Sequence, residues 1–348
     1  MKALIVGAGG QIGSELAGAA QRAGMEVWMI DHLPLAECAG RAALAQAFSA
    51  HPGLAARWLA PATGVDATHR GAMDGLLADL RPDVVFHLAA ILSATGEAKP
   101  ELAWQVNVES LRIAFEALTR YRRADGSAPV LLCPSSIAAY GPVEGHADVL
   151  ENGPEIGPLE PQTLYGVTKV IAERLGEWYA RFMRETPGRG RVDFRSLRFP
   201  GLLSAVPPGG GSSDYANLLF FAAAEGRHQV EIFVRPDARI PFMHMDDALR
   251  ALVELALAPA AHLTRRTYNI AATSPSAAEL ADALRRRLDH PFEVAYVPDH
   301  RQGYVDSWPR RLEDAAARRD WGWSEQYGLE AMTDALLRDC RAALARQS

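Results

Sequence analysis

The chain has 348 residues, of which 49% are hydrophobic and 22% charged, and its formal net charge is −6. This composition supplies a large core, and without a basic excess it argues against a nucleic-acid binder. No apolar run reaches the roughly 18 to 20 residues that span a bilayer, so we expect no membrane partner. Cys38, Cys133 and Cys340 are far apart and lack metal-ligand spacing, so we expect no metal site.

The first residues indicate a strand rather than a targeting segment. Met1 and Lys2 run directly into a four-residue apolar stretch and then into glycine, and that stretch is too short for the core of a signal peptide. We therefore expect a cytoplasmic protein with free thiols.

Short apolar runs alternate with helical patterns over the first two-thirds of the chain. We predict strands at Lys2–Val6, Glu26–Asp31, Arg57–Ala60, Asp83–Leu88, Pro129–Pro134 and Val192–Arg198. We predict helices at Gln11–Ala23, Leu35–Phe48, His69–Leu80, Pro100–Tyr121 and Thr163–Arg184. This alternation, with nearly continuous apolar strands, predicts an α/β fold: a Rossmann-type, doubly wound parallel sheet.

The pattern changes after Arg198. Residues 199–215 are rich in proline, glycine and serine, which predicts a long loop of the kind that covers an active site. Further short elements follow, and a helix is expected to end the chain; they lie at Glu231–Val234, Thr267–Ile270, Glu293–Val297 and Leu329–Leu344. We predict a first domain of residues 1–198, to which 239–272 return, and a smaller C-terminal substrate-binding region of 199–238 and 273–348.

The strongest early motif is the segment Gly7–Gly13, with glycines at positions 7, 10 and 13. It lies between the first strand and the first helix, where missing Cβ atoms let the backbone approach a pyrophosphate and the helix N-terminus offers N–H groups. A plain strand–helix turn is the alternative. The context favours a dinucleotide site.

An acid ends the second predicted strand. Asp31 follows Gly13 by 18 residues, and a carboxylate there accepts hydrogen bonds from the ribose hydroxyls and repels a 2′-phosphate, so NAD is favoured over NADP. The alternative is a loop acid that caps Leu33–Glu37. Asp66 is a candidate adenine contact, and a helix N-cap is an almost equal alternative for it.

The segment His87–Ala90 ends the fourth predicted strand, where small residues leave room for a cofactor across the strand ends. We interpret His87 as a packed strand histidine rather than as a catalytic group.

Tyr165 and Lys169 lie one helical turn apart on the same face. Oxidation of an alcohol needs a base for the hydroxyl proton, and an isolated phenol is a poor base at neutral pH. A nearby ammonium favours the phenolate. The chain has only three lysines, at positions 2, 99 and 169, so a chance pairing is improbable. The alternative is an exposed helix pair.

A serine follows the fifth predicted strand, in the segment Cys133–Gly141. Its hydroxyl would hydrogen-bond the reacting oxygen and complete a Ser–Tyr–Lys trio. A serine that merely caps backbone in a turn is an equal alternative.

The chain resembles the extended short-chain dehydrogenase/reductase superfamily over nearly its whole length. The resemblance rests on four motifs in this order: the glycine motif, His-Leu-Ala-Ala, Ser-Ser-x-x-x-Tyr-Gly and Tyr-x-x-x-Lys. The resemblance implies catalysis by Ser136, Tyr165 and Lys169, with Asn107 supporting the site. Together the motifs and the resemblance imply cofactor contacts from Gly7, Gly10, Gln11, Ile12, Gly13, Asp31, Asp66, Leu88, Ala89, Ala90, Asn107, Pro134, Tyr165, Lys169 and Pro200.

A narrower similarity concerns the L-threonine 3-dehydrogenases of this superfamily. It rests on the segments 90–97, 100–104, 196–201, 209–216, 241–248 and 307–309. It implies substrate contacts from Ser93, Ser136, Tyr165, Ser212, Ser213 and Trp308. Positions 212 and 213 depart from the threonines that this family often has.

The resemblance implies NAD-dependent oxidation of L-threonine at its 3-hydroxyl to 2-amino-3-oxobutyrate. The alternative is a nucleotide-sugar epimerase or dehydratase, or another small hydroxy-acid dehydrogenase of the superfamily. The segment Phe199–Leu203 lacks the asparagine usual in the epimerases. Pro100–Tyr121 and Thr163–Arg184 carry apolar residues at helical spacing. The resemblance implies that these helices pair between subunits of a homodimer; the alternative is that their apolar faces only cover the sheet.

Overall fold

The computed structural model describes residues 1–59, 64–206 and 211–345. Within these ranges the predicted alternation of strand and helix is present. The strands are β1 (Lys2–Val6), β2 (Glu26–Ile30), β3 (Val84–His87), β4 (Val130–Leu132), β5 (Ser135–Ser136), β6 (Asp193–Phe199), β7 (Gly201–Leu203), β8 (Gln229–Ile232), β9 (Phe242–His244), β10 (Thr267–Asn269) and β11 (Glu293–Tyr296).

Helices separate most of these strands. They are α1 (Gln11–Arg22), α2 (Arg41–Ala50), α3 (Arg70–Leu80), α4 (Ser93–Ala98), α5 (Pro100–Trp104), α6 (Ser110–Leu118), α7 (Asp148–Glu151), α8 (Leu164–Glu177), α9 (Tyr215–Ala224), α10 (Met245–Leu257), α11 (Ala277–Arg285), α12 (Arg301–Asp306), α13 (Ala315–Trp321) and α14 (Leu329–Ala345). In the described part of the chain, none of the helices is both long and apolar enough to cross a membrane.

The central sheet is parallel, with the strand order β10-β6-β4-β3-β1-β2 and with β5 paired to β6. Ala3 of β1 lies between Val27 of β2 and Val84 of β3. The chain thus goes from β1 to one side and returns on the other, which puts the topological switch point between β1 and β3. The predicted α/β, Rossmann-type doubly wound fold is confirmed.

Both faces of the sheet are buried. Ala3 and Ile5 of β1 contribute to one apolar core, whereas Leu4 and Val6 contribute to the core on the opposite face, as strand periodicity requires. A third core includes residues from α9, α11 and α14. The predicted boundary of the substrate-binding region at residue 198 stays a prediction.

The predicted strand Arg57–Ala60 is wrong. Residues Pro52–Arg57 form a 3₁₀ helix, and Trp58 makes one isolated parallel bridge to Met29 at the sheet edge. The proline and glycine that open this stretch favour a turn, and the run before the next proline contains no β-branched residue to favour a strand. Ala60 lies outside the described residues.

The predicted helix Leu35–Phe48 is interrupted. A 3₁₀ turn at Leu35–Glu37 is followed by an irregular segment, and α2 begins only after Gly40. Gly40 donates its N–H to the Gly9 carbonyl at 2.8 Å, and a Cβ on Gly40 would lie 2.2 Å from Ser14 Oγ. Close packing against the glycine motif therefore ends the first turn and delays the helix.

The two long predicted helices each contain a π-helical turn. One lies at Gln105–Glu109, between α5 and α6, and the other at Trp178–Phe182, after α8. Such insertions are frequent at functional sites because they turn side chains in new directions. The first of them contains Asn107.

The predicted loop of residues 199–215 is partly wrong. Its residues Gly201–Leu203 form β7, which pairs with β9, because the two segments lie side by side beyond the end of β6. Residues 207–210, which include the first two residues of the segment 209–216, lie outside the described residues.

Candidate active site

A cavity of about 320 Å³ opens where β1 and β3 end, at the switch point of the sheet. This is where open parallel sheets bind their ligands. The predicted site residues that line it are Gly7, Gly10, Gln11, Ile12, Gly13, Leu88, Ala90, Ser93, Pro134, Ser136, Tyr165, Lys169, Pro200, Ser212, Ser213 and Trp308. Ala89, Asp31, Asp66 and Asn107 lie outside its lining.

The glycine motif lines one end of the cavity. Gly7 has a φ of 83°, and a Cβ there would lie 2.7 Å from the backbone N of Ala89, so this position requires glycine. A Cβ on Gly13 would lie 2.3 Å from the Gly7 carbonyl oxygen. Gly10 begins α1 without any side-chain cap, which leaves the first helical N–H groups to an anionic ligand.

Asp31 lies directly after β2 and is buried. Its Oδ2 accepts from the Gly9 N–H at 2.8 Å, and its Oδ1 accepts from the Leu33 N–H at 3.1 Å. The carboxylate thus both fixes the glycine motif and caps the turn that follows it. A contact between Asp31 and the adenosine ribose stays a prediction.

Asp66 is exposed and accepts from both the backbone N–H and the hydroxyl of Thr68 at 2.8 Å. These bonds are those of a local turn. The residue before it, Val65, donates its N–H to the Asp31 carbonyl at 2.6 Å, so Asp66 lies at the same end of the site as Asp31. An adenine contact from Asp66 also stays a prediction.

Helix α8 carries Tyr165 and Lys169 and begins at the N-cap Thr163, whose hydroxyl accepts from the Gly166 N–H at 3.0 Å. Lys169 is 6% exposed, and its Nζ donates to the Pro134 carbonyl at 2.8 Å. The same Nζ lies 5.2 Å from the centre of the Tyr165 ring. The ammonium is therefore held beside the phenol, inside the cavity.

Ser136 ends β5, and its Oγ accepts from the Ala138 N–H at 3.1 Å. It therefore caps a turn and also lines the cavity, so the two alternatives for this serine are compatible. A Cβ on Gly166 would lie 2.0 Å from the Ala138 carbonyl oxygen. This close approach brings the start of α8 against the turn after Ser136.

Asn107 occupies the π-helical turn and is buried. Its Oδ1 accepts from the Ile91 N–H at 2.7 Å, and its Nδ2 donates to the Ile91 carbonyl and to Thr168 Oγ1, both at 3.1 Å. These bonds join the segment after β3 to α8. Its contacts are therefore those of a supporting residue, and a direct cofactor contact from it stays a prediction.

His87 ends β3 and is 2% exposed. Its Nε2 lies 3.1 Å from Ser110 Oγ, and burial lowers the pKa of the imidazole to about 4. The ring is therefore neutral at physiological pH, which agrees with the interpretation of a packed strand histidine, although it borders the cavity.

A buried polar network behind the site was missed by the sequence analysis. Arg198 donates to both carboxylate oxygens of Glu173, at 2.9 and 2.7 Å, and Ser135 donates to the same carboxylate at 2.5 Å. Arg198 also donates to Tyr140 Oη at 2.9 Å, and Tyr140 donates to Asn269 Oδ1 at 2.9 Å. The position of Glu173, one turn after Lys169, was the available signal.

The end of the cavity lined by Ser93 and Ser212 is polar. Ser93 Oγ and Ser212 Oγ lie 3.5 Å apart, and both residues are buried. Asp214 and Asn217, which the sequence analysis did not select, also line this cavity. Asn217 is 4% exposed, and its Oδ1 has no hydrogen-bond partner among the described residues.

Comparison of the sequence and the fold with known proteins shows similarity to several L-threonine 3-dehydrogenases. A mitochondrial L-threonine 3-dehydrogenase of Bos taurus is 38% identical over 256 residues, which cover 73% of this chain but only 63% of that protein. A structure titled partial consensus L-threonine 3-dehydrogenase has a TM-score of 0.81 at 38% identity, covering 98% of this chain and all of that one.

A GalE-like L-threonine dehydrogenase from Cupriavidus necator, in its holo form, also has a TM-score of 0.81, at 37% identity, with 97% of this chain and 99% of that chain covered. The family model described as the NAD dependent epimerase/dehydratase family matches residues 3–271, well over half of the chain. This chain therefore belongs to the NAD dependent epimerase/dehydratase family.

Proposed function

We propose that this protein oxidises L-threonine at its 3-hydroxyl with NAD, giving 2-amino-3-oxobutyrate, NADH and a proton. The observation that carries this proposal is one cavity that combines the Tyr165–Lys169 pair and Ser136 with a polar end at Ser93 and Ser212. The threonine dehydrogenases among the similar proteins support the choice of substrate.

The described residues suit a dinucleotide. The uncapped start of α1 would hold the phosphates, and the glycine positions leave space that a Cβ would fill. Asp31 would accept from the adenosine ribose, which favours NAD over NADP. Pro134 and Pro200 border the end where Lys169 would bind the nicotinamide ribose. When bound, NAD accepts the hydride from the alcohol carbon.

The chain's own groups would manage the proton. Tyr165 acts as the base for the 3-hydroxyl, and the Lys169 ammonium lies beside its ring, 5.2 Å from the ring centre. Ser136 donates a hydrogen bond to the reacting oxygen and orients it. Ser93, Ser212 and Ser213 bind the amino-acid head group, and Trp308 borders the same space.

The charges in the cavity support a small zwitterion over a nucleotide sugar. Of the described residues that line it, Lys169 is the only lysine or arginine, and Asp214 is the only acid. The N–H groups at the start of α1 would already hold the phosphates of NAD, so the second diphosphate of a nucleotide sugar would require cationic partners beyond Lys169, because such groups are usually bound by arginine forks or several N–H donors. An amino acid carries one charge of each sign and needs fewer.

The decisive assay is NADH formation, followed by absorbance, with L-threonine, D-threonine, L-serine, L-allo-threonine and a UDP-sugar. We expect turnover with L-threonine and preference for it over its stereoisomers. Turnover of the UDP-sugar without any response to L-threonine would favour the epimerase alternative and refute the proposal.

The role of Tyr165 is tested separately. Tyr165→Phe removes the base but keeps the ring, so we expect loss of nearly all turnover with NADH binding, measured by fluorescence titration, close to wild type. Retained turnover in Tyr165→Phe would falsify the assigned role.

We also propose a homodimer formed through α8 and the helix that includes α5. Trp104 is 49% exposed, and Trp178 and Phe182, one turn apart, are 47% and 69% exposed. Val167 continues this apolar face toward the start of α8. Exposed aromatic side chains on adjacent helices are typical of a protein interface. A monomeric L-threonine 3-dehydrogenase is among the similar structures, so the number of subunits in solution is the test of this proposal.

Sedimentation velocity provides that measurement. We expect a dimer for the wild type and a monomer for Trp178→Glu with Phe182→Glu. A wild-type monomer at micromolar concentration would refute the dimer without affecting the proposed reaction. A cytoplasmic location stays a prediction.

A further inference from the structure

Asn217 presents a buried polar group for which the described residues supply no partner. It lies in the first turn of α9 and lines the candidate active-site cavity. It is 4% exposed, and its Oδ1 accepts no hydrogen bond from the described residues. A buried acceptor without a donor raises the free energy of the folded protein, so a ligand that donates an N–H or O–H to it would bind more tightly.

The negative charge of Asp214 indicates which kind of donor would bind beside Asn217. Asp214 lies three residues earlier, at the start of α9, so the two side chains share one side of the helix start. Asp214 accepts from the Gly211 N–H at 2.8 Å and is the only acid among the described lining residues. Its negative charge favours a cation beside the Asn217 amide and offsets the positive end of α9.

We infer that Asn217 is a specificity-determining residue that accepts a hydrogen bond from the substrate ammonium through Oδ1, an inference that rests on the proposed function. The 2-ammonium of a 2-amino-3-hydroxy acid is its strongest hydrogen-bond donor, whereas its carboxylate only accepts and would be repelled by Oδ1. Asn217 would therefore bind the amino group and fix which end of the head group faces α9.

This role distinguishes an amino acid from its deaminated analogue. A site that hydrogen-bonds a substrate N–H rejects the analogue that lacks it, because the buried acceptor is then left unpaired. 3-Hydroxybutyrate has the same carbon chain, alcohol and carboxylate as threonine, with hydrogen in place of the ammonium. The preference for threonine over this acid therefore measures the contact.

The experiment compares Asn217→Leu and Asn217→Asp with the wild type, using KM for L-threonine and the inhibition constant of 3-hydroxybutyrate. Leucine has a similar volume but no acceptor, whereas aspartate keeps the acceptor and adds charge. For Asn217→Leu we expect KM for L-threonine to rise on the order of tenfold or more. The inhibition constant of 3-hydroxybutyrate should stay within about twofold of the wild-type value. Asn152→Leu, at an exposed asparagine, is the control and should change neither value.

Asn217→Asp keeps the test valid if the leucine variant does not fold. We expect it to bind L-threonine at least as well as the wild type and 3-hydroxybutyrate less well, so that the preference rises several-fold. Equal changes for both ligands, or an unchanged preference in both variants, would overturn the role of Asn217. A wild type that makes no NADH from L-threonine would instead refute the proposed function, so the two failures are distinguishable.

Discussion

Arg198 of β6 and Glu173 of α8 form a two-point ion pair in the interior, with N–O distances of 2.9 and 2.7 Å. Their side chains are 7% and 4% exposed. Glu173 follows Lys169 by one helical turn, and Ser135, the neighbour of Ser136, donates to the same carboxylate. The pair therefore joins α8 to β6, and the Ser135 bond joins the same carboxylate to β5, which also contains Ser136.

The first prediction concerns Glu173→Gln. Removing one charge leaves the buried guanidinium of Arg198 without compensation, a change that typically costs about 3 to 5 kcal/mol of unfolding free energy. We expect this loss in urea unfolding and a lower kcat, because α8 is less well held. Asp306→Asn is the control: it breaks the exposed Arg235–Asp306 pair, at 3.0 and 2.9 Å, and should cost less than about 1 kcal/mol. Similar losses in the two variants would contradict the special role of the buried pair.

Gly166→Ala tests the contact between α8 and the turn after Ser136. The new Cβ would lie 2.0 Å from the Ala138 carbonyl oxygen, which is backbone and cannot rotate away. We expect α8 to shift outward, which would separate Tyr165 from Ser136. The unfolding free energy should fall by roughly 1 to 3 kcal/mol, and kcat should fall more than tenfold.

Gly75→Ala is the matched control for this substitution. Gly75 lies inside α3, and a Cβ there meets nothing within 4 Å. Alanine favours helix over glycine, so we expect a gain of roughly 0.5 to 1 kcal/mol with normal activity. A Gly166→Ala variant as active and stable as this control would show that the contact is dispensable.

The sequence predicted the sheet and many of the residues that line the cavity, because both depend on local patterns. Strands β1 to β4 follow nearly continuous apolar runs, and the Tyr165–Lys169 spacing is a property of one helix. The predicted strand Arg57–Ala60 was wrong because Trp58 makes only one isolated bridge to Met29, which does not extend into a strand.

The rest of the site depends on long-range contacts. Arg198 contacts Tyr140 and Asn269, which are far from it along the chain, so no spacing rule identifies the network. Strands β7 and β9 have three residues each and exist because they pair with one another. Asn217 lies in a largely buried apolar helix, and only the cavity distinguishes it from other polar residues.

The next prediction concerns cofactor preference. Asp31→Ala removes the carboxylate that would bind the ribose hydroxyls and repel a 2′-phosphate, so we expect the ratio of kcat/KM for NADP to that for NAD to rise at least about tenfold. KM for NAD should also rise, because Gly9 loses its hydrogen-bond acceptor. His32→Ala, which removes the exposed partner 3.0 Å from Asp31, should leave the ratio unchanged. An unchanged ratio in Asp31→Ala would limit the residue to fixing the glycine motif.

The last prediction concerns Glu15 of α1, whose Oε1 is buried without a hydrogen-bond partner among the described residues. Burial, followed by repulsion from Asp246 and Asp339, raises the pKa of this carboxyl from 4.5 to about 7. The folded state therefore binds more protons than the unfolded state between these values. The contribution of Glu15 to stability is present below about pH 4.5 and is lost as the pH rises through 7.

Glu15→Gln keeps the shape of the side chain and removes its titration. We expect the variant to be more stable than the wild type at pH 8, by on the order of 2 kcal/mol, and to differ little from it at pH 5. The measurement is the difference in unfolding free energy between variant and wild type at each pH. Taking this difference cancels the contributions of other titrating groups to the unfolding free energy. One of these is His87, whose lowered pKa makes stability increase rather than decrease as the pH rises. Glu144→Gln, at an exposed position, should give a difference near zero at both pH values, and a Glu15→Gln difference independent of pH would contradict the assignment.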